Sequence, residues 1–460
     1  MGSRLTILGA GESGVGAALL AQRQGLEVWV SDSGIITPKY QKLLDRNNIE
    51  YEQGTHSMDK ILNADEIVKS PGIPDQLELI QTILDTGIPI ISELEFASRY
   101  TEAMLITITG TNGKSTTTLL IHHLLKESGI DVGLAGNIGD SLAKQVMEGA
   151  SSQYVIEVSS FQLDGMYNFK SDIAVLLNIT PDHLDRYDFQ LQRYIDSKFR
   201  IIQNMTSTDH FIFFKDDPII EREIEKRDIK ALLHPISLTK AVENGAFCNG
   251  DWMVFSLENP SLETTVRVED VPLKGKHNII NAMASIMVSL IEVQDKSTLP
   301  ASLIKFKNAA HRMEFVDSIN QVEFINDSKA TNVDAVYYAL DSIDQPIVWI
   351  AGGIDKGNDY NVLKTLVMEK VKILICIGVE NTKLKEAFEG VAKSILEVDN
   401  MEEAVIVAHS MAIKGDVVLL SPACASFDLF KNYEDRGDQF KKSIKTLKVK
   451  LNMTHKSLVL

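Results

Sequence analysis

Cysteine is scarce: three residues in 460 (Cys248, Cys376 and Cys424), odd in number and widely separated among apolar neighbours. No disulfide framework and no thiolate zinc site can be built from them, so they read as core filler. Net positive charge is also lacking. Lys and Arg number 46 against 63 Asp and Glu, a formal charge of −17, whereas a nucleic-acid ligand calls for a broad basic surface. Nucleic acid is thereby excluded as a partner, and any anionic ligand must be met by local donors. No apolar run approaches the roughly 18 residues that span a bilayer, and the start runs into the strand-like stretch Leu5 to Ala10 without a signal-peptide pattern. The expectation is a cytoplasmic chain with no membrane partner. Met1 to Thr6 formally fits a myristoylation pattern, but a strand beginning near Arg4 leaves an acyl chain no free arm.

What is present is an alternation of strand-like and helix-like segments, long enough for about three domains on the usual length prior. The block 1–93 reads strand (Leu5 to Leu8), glycine turn, helix (Gly14 to Gln24), strand (Glu27 to Val30) and a shorter alternation closing near Ile91. The block 94–307 carries strands at Met104 to Thr109, Tyr154 to Ser159, Ile173 to Ile179 and His210 to Phe214. A β-rich insert from Phe247 to Val268 follows, turning at Asn249-Gly250-Asp251, before a helix near Asn278 to Leu290. In 308–460 the runs Val322 to Asn326, Pro346 to Gly353, Val371 to Gly378 and Asp416 to Pro422 suit parallel strands covered on both faces. The Lys-rich end (Lys441 to Lys456) reads as the solvated face of a last helix plus a tail. The predicted class is α/β: a Rossmann-like first domain, a central P-loop ATPase-type sheet with the insert, and a Rossmann-like third domain.

Two glycine-rich turns follow strands. Gly9-Ala10-Gly11-Glu12-Ser13-Gly14 is a G-x-G-x-x-G, with Asp32 ending the next strand at the spacing of a ribose-binding acid. Three readings stay open: a nicotinamide or flavin site, the pyrophosphate of a UDP-sugar held on amides and a helix N-terminus, or a packing turn. Thr109 to Thr116, between an apolar strand and a helical run, is a phosphate-binding loop. Its amides cradle phosphates, Lys114 counters their charge, and the Ser115 or Thr116 hydroxyl can ligate Mg²⁺. It departs from the strict Walker pattern at Ile108, where the first glycine should be. An acid is expected at the end of a neighbouring strand, and Glu157 fits; the plainer reading, a buried strand carboxylate, costs free energy without a cation.

The strings GTNGKST, AGNIG, EVSSFQLD, NITPDHLDRY, GKHNIINAMAS, HRMEF, NDSKATN, GGIDKG and SPACASFDLFKNYEDRGDQF occur in order from Gly110 to Phe440. In this set the chain resembles the Mur ligases, relatives of folylpolyglutamate synthase, and among them most resembles the D-glutamate-adding member. The resemblance implies ATP-dependent addition of D-glutamate to UDP-N-acetylmuramoyl-L-alanine through an acyl phosphate, in peptidoglycan precursor synthesis, by a monomer. Another Mur ligase, a folylpolyglutamate synthase-like amide ligase and, more distantly, a nicotinamide oxidoreductase are the alternatives.

Residue by residue, the resemblance implies that Gly110, Thr111, Asn112, Gly113, Lys114, Ser115 and Thr116 hold the ATP phosphates. Asn278 and Asn281 would reach the nucleotide, with Arg312 on phosphate and Asp327 on ribose. Glu157 is implied to bind a first Mg²⁺ and His183 a second, with Lys198 as a carbamate (N6-carboxylysine) supplying oxygens that Mg²⁺ prefers to nitrogen. The plain reading of Lys198 is a solvated residue on a helix from Tyr194 to Ile202. Ser13, Asp32, Ser33, Ser70, Gly72 and Asn137 are implied for the UDP substrate, and Lys329, Thr331, Lys356, Ser426 and Tyr433 for D-glutamate. The base that deprotonates the amine is unassigned. The split of motifs between the second and third blocks leads to the expectation that the third domain closes on the second.

Overall fold

The structure, a computed structural model, describes residues 3–149, 151–258, 261–273, 275–293, 296–355 and 357–458. The chain packs as two compact units, Met1–Pro272 with Ile280–Phe306, and Leu273–Ile279 with Lys307–Leu460.

The first unit holds two sheets. Strands β1 (Arg4–Leu8), β2 (Glu27–Asp32), β3 (Glu50–Gln53), β4 (Glu66–Lys69) and β5 (Ile90–Ile91) form one, in the order β3-β2-β1-β4-β5, parallel throughout. The other begins with β6 (Met104–Thr109), β7 (Val132–Gly136), β8 (Gln153–Glu157), β9 (Ile173–Leu176) and β10 (His210–Phe214), and continues through β11 (Leu232–Ser237), β12 (Ala246–Asn249), β13 (Trp252–Leu257) and β14 (Leu262–Arg267). Its order is β14-β13-β12-β11-β10-β9-β6-β8-β7. The expected β-rich insert is the antiparallel end of this sheet, and Gly250 makes its hairpin turn with φ 59°.

Three helices weld the two sheets. Glu12–Arg23, Glu93–Ser98 and Leu142–Glu148 pack together, and the first approaches the third so closely that a Cβ at Gly16 would lie 2.1 Å from Ser141 Oγ. Buried Glu93 accepts hydrogen bonds from Ser141 Oγ (2.7 Å) and Ala143 N (2.6 Å). Buried Glu95 accepts from the amides of Tyr167, Asn168 and Phe169. One apolar core accordingly runs from Leu5 and Val30 through Leu94 to Phe211.

The second unit is a single sheet of β15 (Glu314–Ile319), β16 (Val322–Asn326), β17 (Ile347–Ala351), β18 (Val371–Ile377), β19 (Ile395–Val398) and β20 (Val417–Leu420), ordered β15-β16-β20-β17-β18-β19. Only the β15–β16 pair is antiparallel. All residues of β17 and β20 are buried, as expected of apolar runs covered on both faces. The last helix, Tyr433–Leu458, starts before its Lys-rich stretch and buries Phe440 and Ile444 against Phe324 and Val405. The three cysteines are free, with Cys376 and Cys424 buried and Cys248 half-buried.

Candidate active site

The phosphate loop sits where the sequence places it. β6 ends at Thr109, and the helix Lys114–Glu127 begins four residues beyond Gly110. Gly113 caps that helix at φ 87°, and a Cβ there would lie 2.5 Å from Asn281 Oδ1. Glycine thus keeps the positive end of the helix open to an anion. Strands β8 and β9 flank β6, with Glu157 opposite Ile108 and Leu176 opposite Thr109. The acid and the loop after β9 therefore leave the sheet on either side of the phosphate loop.

The β9 side pins the loop. Thr111 N donates to Asn178 O (2.9 Å), and Asn178 accepts from Asn112 N (2.8 Å) and donates to Asn112 O (3.0 Å). Thr111 Oγ1 donates to Thr180 O (3.1 Å) and accepts from Thr180 N (3.0 Å). Lys114 Nζ folds back onto Gly110 O and Thr111 O, each at 2.8 Å. Asn178 and Thr180 went unassigned in the sequence, although the polar pair flanking Ile179 directly after a buried strand marks the place.

Lys198 is not the solvated lysine of the plain reading. It lies on the helix Leu191–Phe199, is 1% exposed, and donates from Nζ to Gly110 O at 2.8 Å. Its ammonium stands 4.6 Å from the Tyr194 ring centroid. Burial first, and then the charge of Lys114, push its pKa well below the ordinary lysine range. The neutral amine so favoured is the nucleophilic form, the one that can add CO₂.

Glu157 is likewise buried, at the end of β8. Its Oε1 accepts from Asn137 Nδ2 at 2.8 Å, and its carbonyl accepts from Asn137 N at 2.9 Å, so these two predicted residues are held together. Ser115 and Thr116 lie buried in the first turn of the loop helix. His183 adopts a left-handed φ of 53°, donates from its amide to Asp182 Oδ1 (2.9 Å), and packs edge-on to Phe161 with centroids 5.2 Å apart. Among the described residues no group of three or more His, Cys, Asp or Glu is placed to hold a metal. The oxygen donors at the loop are one carboxylate, Glu157, and the Ser115 and Thr116 hydroxyls. Such a set fits Mg²⁺ when phosphate oxygens and water complete the shell.

The first sheet offers a second cradle at the ends of β1, β2 and β4. Asp32 Oδ2 accepts from Ala10 N and Oδ1 from Gly34 N, both at 2.7 Å, so the carboxylate itself shapes the glycine turn. Ser70 Oγ donates to Gly9 O (3.4 Å). Ser13 stands in the first turn of the following helix and Ser33 just after β2. Gly72 O accepts from Arg186 Nη2 (3.1 Å), Gln76 donates to Arg186 O (2.9 Å), and the guanidinium lies 4.6 Å from the Phe161 centroid. The Ser70–Gly72 turn is thereby tied to the segment that carries His183.

In the second unit Asp327 follows β16. Its Oδ2 accepts from Ser421 Oγ (2.9 Å) and its Oδ1 from Met313 N (3.2 Å). Burial pushes its pKa up to about 7, against the pull of Ser421 and the Arg312 charge. Asn278 and Asn281 are both buried on the helix Lys276–Glu292, the former counted with the second unit and the latter with the first. Lys329 Nζ lies 5.4 Å from the Tyr433 ring centroid, Thr331 N donates to Lys329 O (2.9 Å), and buried Ser426 accepts from Phe430 N (3.0 Å). Lys356 lies outside the described residues.

The chain matches the Mur ligase MurD-like N-terminal domain over 3–92, the Mur ligase middle domain over 108–289, and the Mur ligase glutamate ligase domain over 311–424. It is 49% identical to the UDP-N-acetylmuramoylalanine--D-glutamate ligase of Christiangramia forsetii, over 97% of this chain and 100% of the relative. The protein of the same name from Bacteroides fragilis is 51% identical over 96% of this chain and all of its own length. Among solved structures, the pseudomurein peptide ligase type C of Methanothermus fervidus shares the fold, with TM-score 0.61 at 20% identity, covering 97% of this chain and 100% of that one.

Proposed function

The chain belongs to the Mur ligase family, and from that premise we propose that it joins D-glutamate to UDP-N-acetylmuramoyl-L-alanine at the expense of ATP, in peptidoglycan precursor synthesis. A carboxylate is a poor electrophile. The substrate's terminal carboxylate attacks the γ-phosphate, ADP leaves, and the acyl phosphate so formed is attacked by the amine of D-glutamate with loss of phosphate. No protein nucleophile is needed.

The observation that carries the reading is the convergence on the phosphate loop: Lys114 and buried Lys198 meet at Gly110 O, between strands that deliver Glu157 and the His183 segment. Amides of 110–116 and Lys114 hold the ATP phosphates, with Asn281 beside Gly113 and Asn278, Arg312 and Asp327 as further nucleotide contacts. Bound Mg²⁺ supplies charge neutralisation as two anions approach. Glu157, His183, Ser115, Thr116 and Lys198 as a carbamate are the residues proposed to hold it, as two ions. Ser13, Asp32, Ser33, Ser70, Gly72 and Asn137 serve the UDP substrate, and Lys329, Thr331, Lys356, Ser426 and Tyr433 serve D-glutamate. Among the described residues no helix is long and apolar enough to cross a membrane; we place the reaction in the cytoplasm, carried out by a monomer.

Phosphate release measured with UDP-N-acetylmuramoyl-L-alanine, ATP and a panel of amino acids tests the proposal. Turnover with D-glutamate and none with L-glutamate, L-lysine or L-alanine is expected. Turnover with another amino acid in its place overturns the choice of acceptor.

A further inference from the structure

One strongly buried cation in the second unit has no part in the scheme above. Arg436, on the last helix, is 1% exposed. Among the described residues it makes no ion pair; burial lowers its pKa to about 10, against the pull of the more distant Asp428 charge. An arginine taken out of water without a carboxylate partner is costly unless its N–H groups are satisfied and its charge is used.

The N–H groups are satisfied by three separate loops. Nε donates to Ser328 Oγ (3.0 Å) and Nη2 to Ser328 O (2.9 Å), while Nη1 reaches Cys424 O (3.2 Å) and Gly352 O (3.4 Å). Ser328 Oγ in turn donates to Tyr433 O at 2.8 Å. Every described residue proposed for the acceptor is close in sequence to one of these anchor points. Lys329 and Thr331 follow Ser328, Ser426 follows Cys424, and Tyr433 lies one helical turn before Arg436. The ligand proposed for this pocket carries two carboxylates and one ammonium, so it brings negative charge to a buried guanidinium that forms no ion pair of its own.

We propose that Arg436 is a positioning residue of the acceptor pocket: its planar fork fixes the Ser328, Gly352 and Cys424 loops in register, and its charge, which no ion pair takes up, favours a dianionic amino acid there. This rests on the D-glutamate reading of the reaction. Arginine suits the task because its donors diverge in one rigid plane, which the single nitrogen of lysine does not reproduce.

The test is steady-state phosphate release by the full chain, titrating D-glutamate at saturating ATP and UDP-N-acetylmuramoyl-L-alanine, with Arg436→Met, Arg436→Lys and Ser328→Ala. For Arg436→Met the KM for D-glutamate is expected to rise at least tenfold, with the KM for ATP within about twofold of the unmodified chain. Arg436→Lys keeps the charge and should recover part of that loss, and Ser328→Ala should raise the same KM about threefold. An unchanged KM for D-glutamate in folded variants overturns the proposal, as does an equal rise in the KM of all three substrates. Should Arg436→Met fail to fold, the other two variants decide by the same criterion. Absence of turnover with D-glutamate in the unmodified chain is a different result, which overturns the reading of the reaction and this inference with it.

Discussion

Lys114 and Lys198 donate to the same acceptor, the carbonyl oxygen of Gly110, each at 2.8 Å. Two ammonium groups on one oxygen repel each other, and the one that is fully buried yields its proton more easily. The carbamylation proposed for Lys198 would place an anion beside Lys114 and remove the repulsion. Activity is therefore expected to fall several-fold in buffer stripped of CO₂ and to return on adding bicarbonate, with a carbamate carbon signal in the ¹³C NMR spectrum of the unmodified chain given labelled bicarbonate. A Lys198→Ala chain should lack that signal and lose at least 100-fold in kcat; a bicarbonate-independent rate in the unmodified chain counts against the modification.

Gly113→Ala is expected to abolish nucleotide binding. The new methyl would sit at a φ of 87° and 2.5 Å from Asn281 Oδ1, costing about 1–3 kcal/mol in backbone strain alone. Titration with a fluorescent ATP analogue and a thermal melt measure the two effects. Wild-type affinity in the variant would show that the helix N-terminus does not face the phosphates.

Asn178→Ala removes both side-chain bonds to Asn112 while leaving the strand intact. The two bonds are only part-buried, so water can replace part of the loss and a destabilisation of about 1 kcal/mol is expected. The KM for ATP should rise by about tenfold with a smaller change in the KM for the UDP substrate, and equal changes in both would argue against a role specific to the phosphate loop.

Glu93 makes the weld between the sheets pH-dependent. Burial raises its pKa from 4.5 to about 7 in the folded chain. The folded state then holds more protons than the unfolded one between these values, so unfolding free energy falls as pH rises from about 4.5 to 7 and levels off above that. The full span is about 3 kcal/mol at 1.36 kcal/mol per pKa unit. Urea midpoints compared between the unmodified chain and Glu93→Gln at pH 5, 6 and 8 should differ most at pH 8, with the glutamine chain the more stable there. Parallel pH profiles for the two chains would remove Glu93 from the account.

Much of this was legible in the sequence because it is local. The strand Met104–Thr109, the glycine turn and the helix after it are contiguous, and the observed bounds agree. The hairpin at Gly250 and the strands Val322–Asn326 and His210–Phe214 were read for the same reason. What escaped depends on partners far apart in the chain. Asn178 holds Asn112 across 66 residues, and Arg436 reaches Ser328 across 108. Neither leaves a periodic trace that a local reading could find. Short edge strands such as Glu314–Ile319 and Ile395–Val398 also escaped, since half-exposed positions blur the apolar alternation. Lys198 lies on the buried face of an amphipathic helix, but a lysine there breaks the apolar pattern and so suggests the solvated face.

The helix contact at Gly16 and Ser141 has one more implication. Because the two sheets of the first unit share a core and close-packed helices, the cradle at Asp32 and the loop at Lys114 stand at a set separation, like the two marks of a ruler. If the Asp32 cradle takes the nucleotide as proposed, a donor held there would react only if its tail is long enough, and no longer, to bring the terminal carboxylate to the other mark. On that reading, selection among precursors that differ by a single residue would be made by span, before any side chain of the donor is touched.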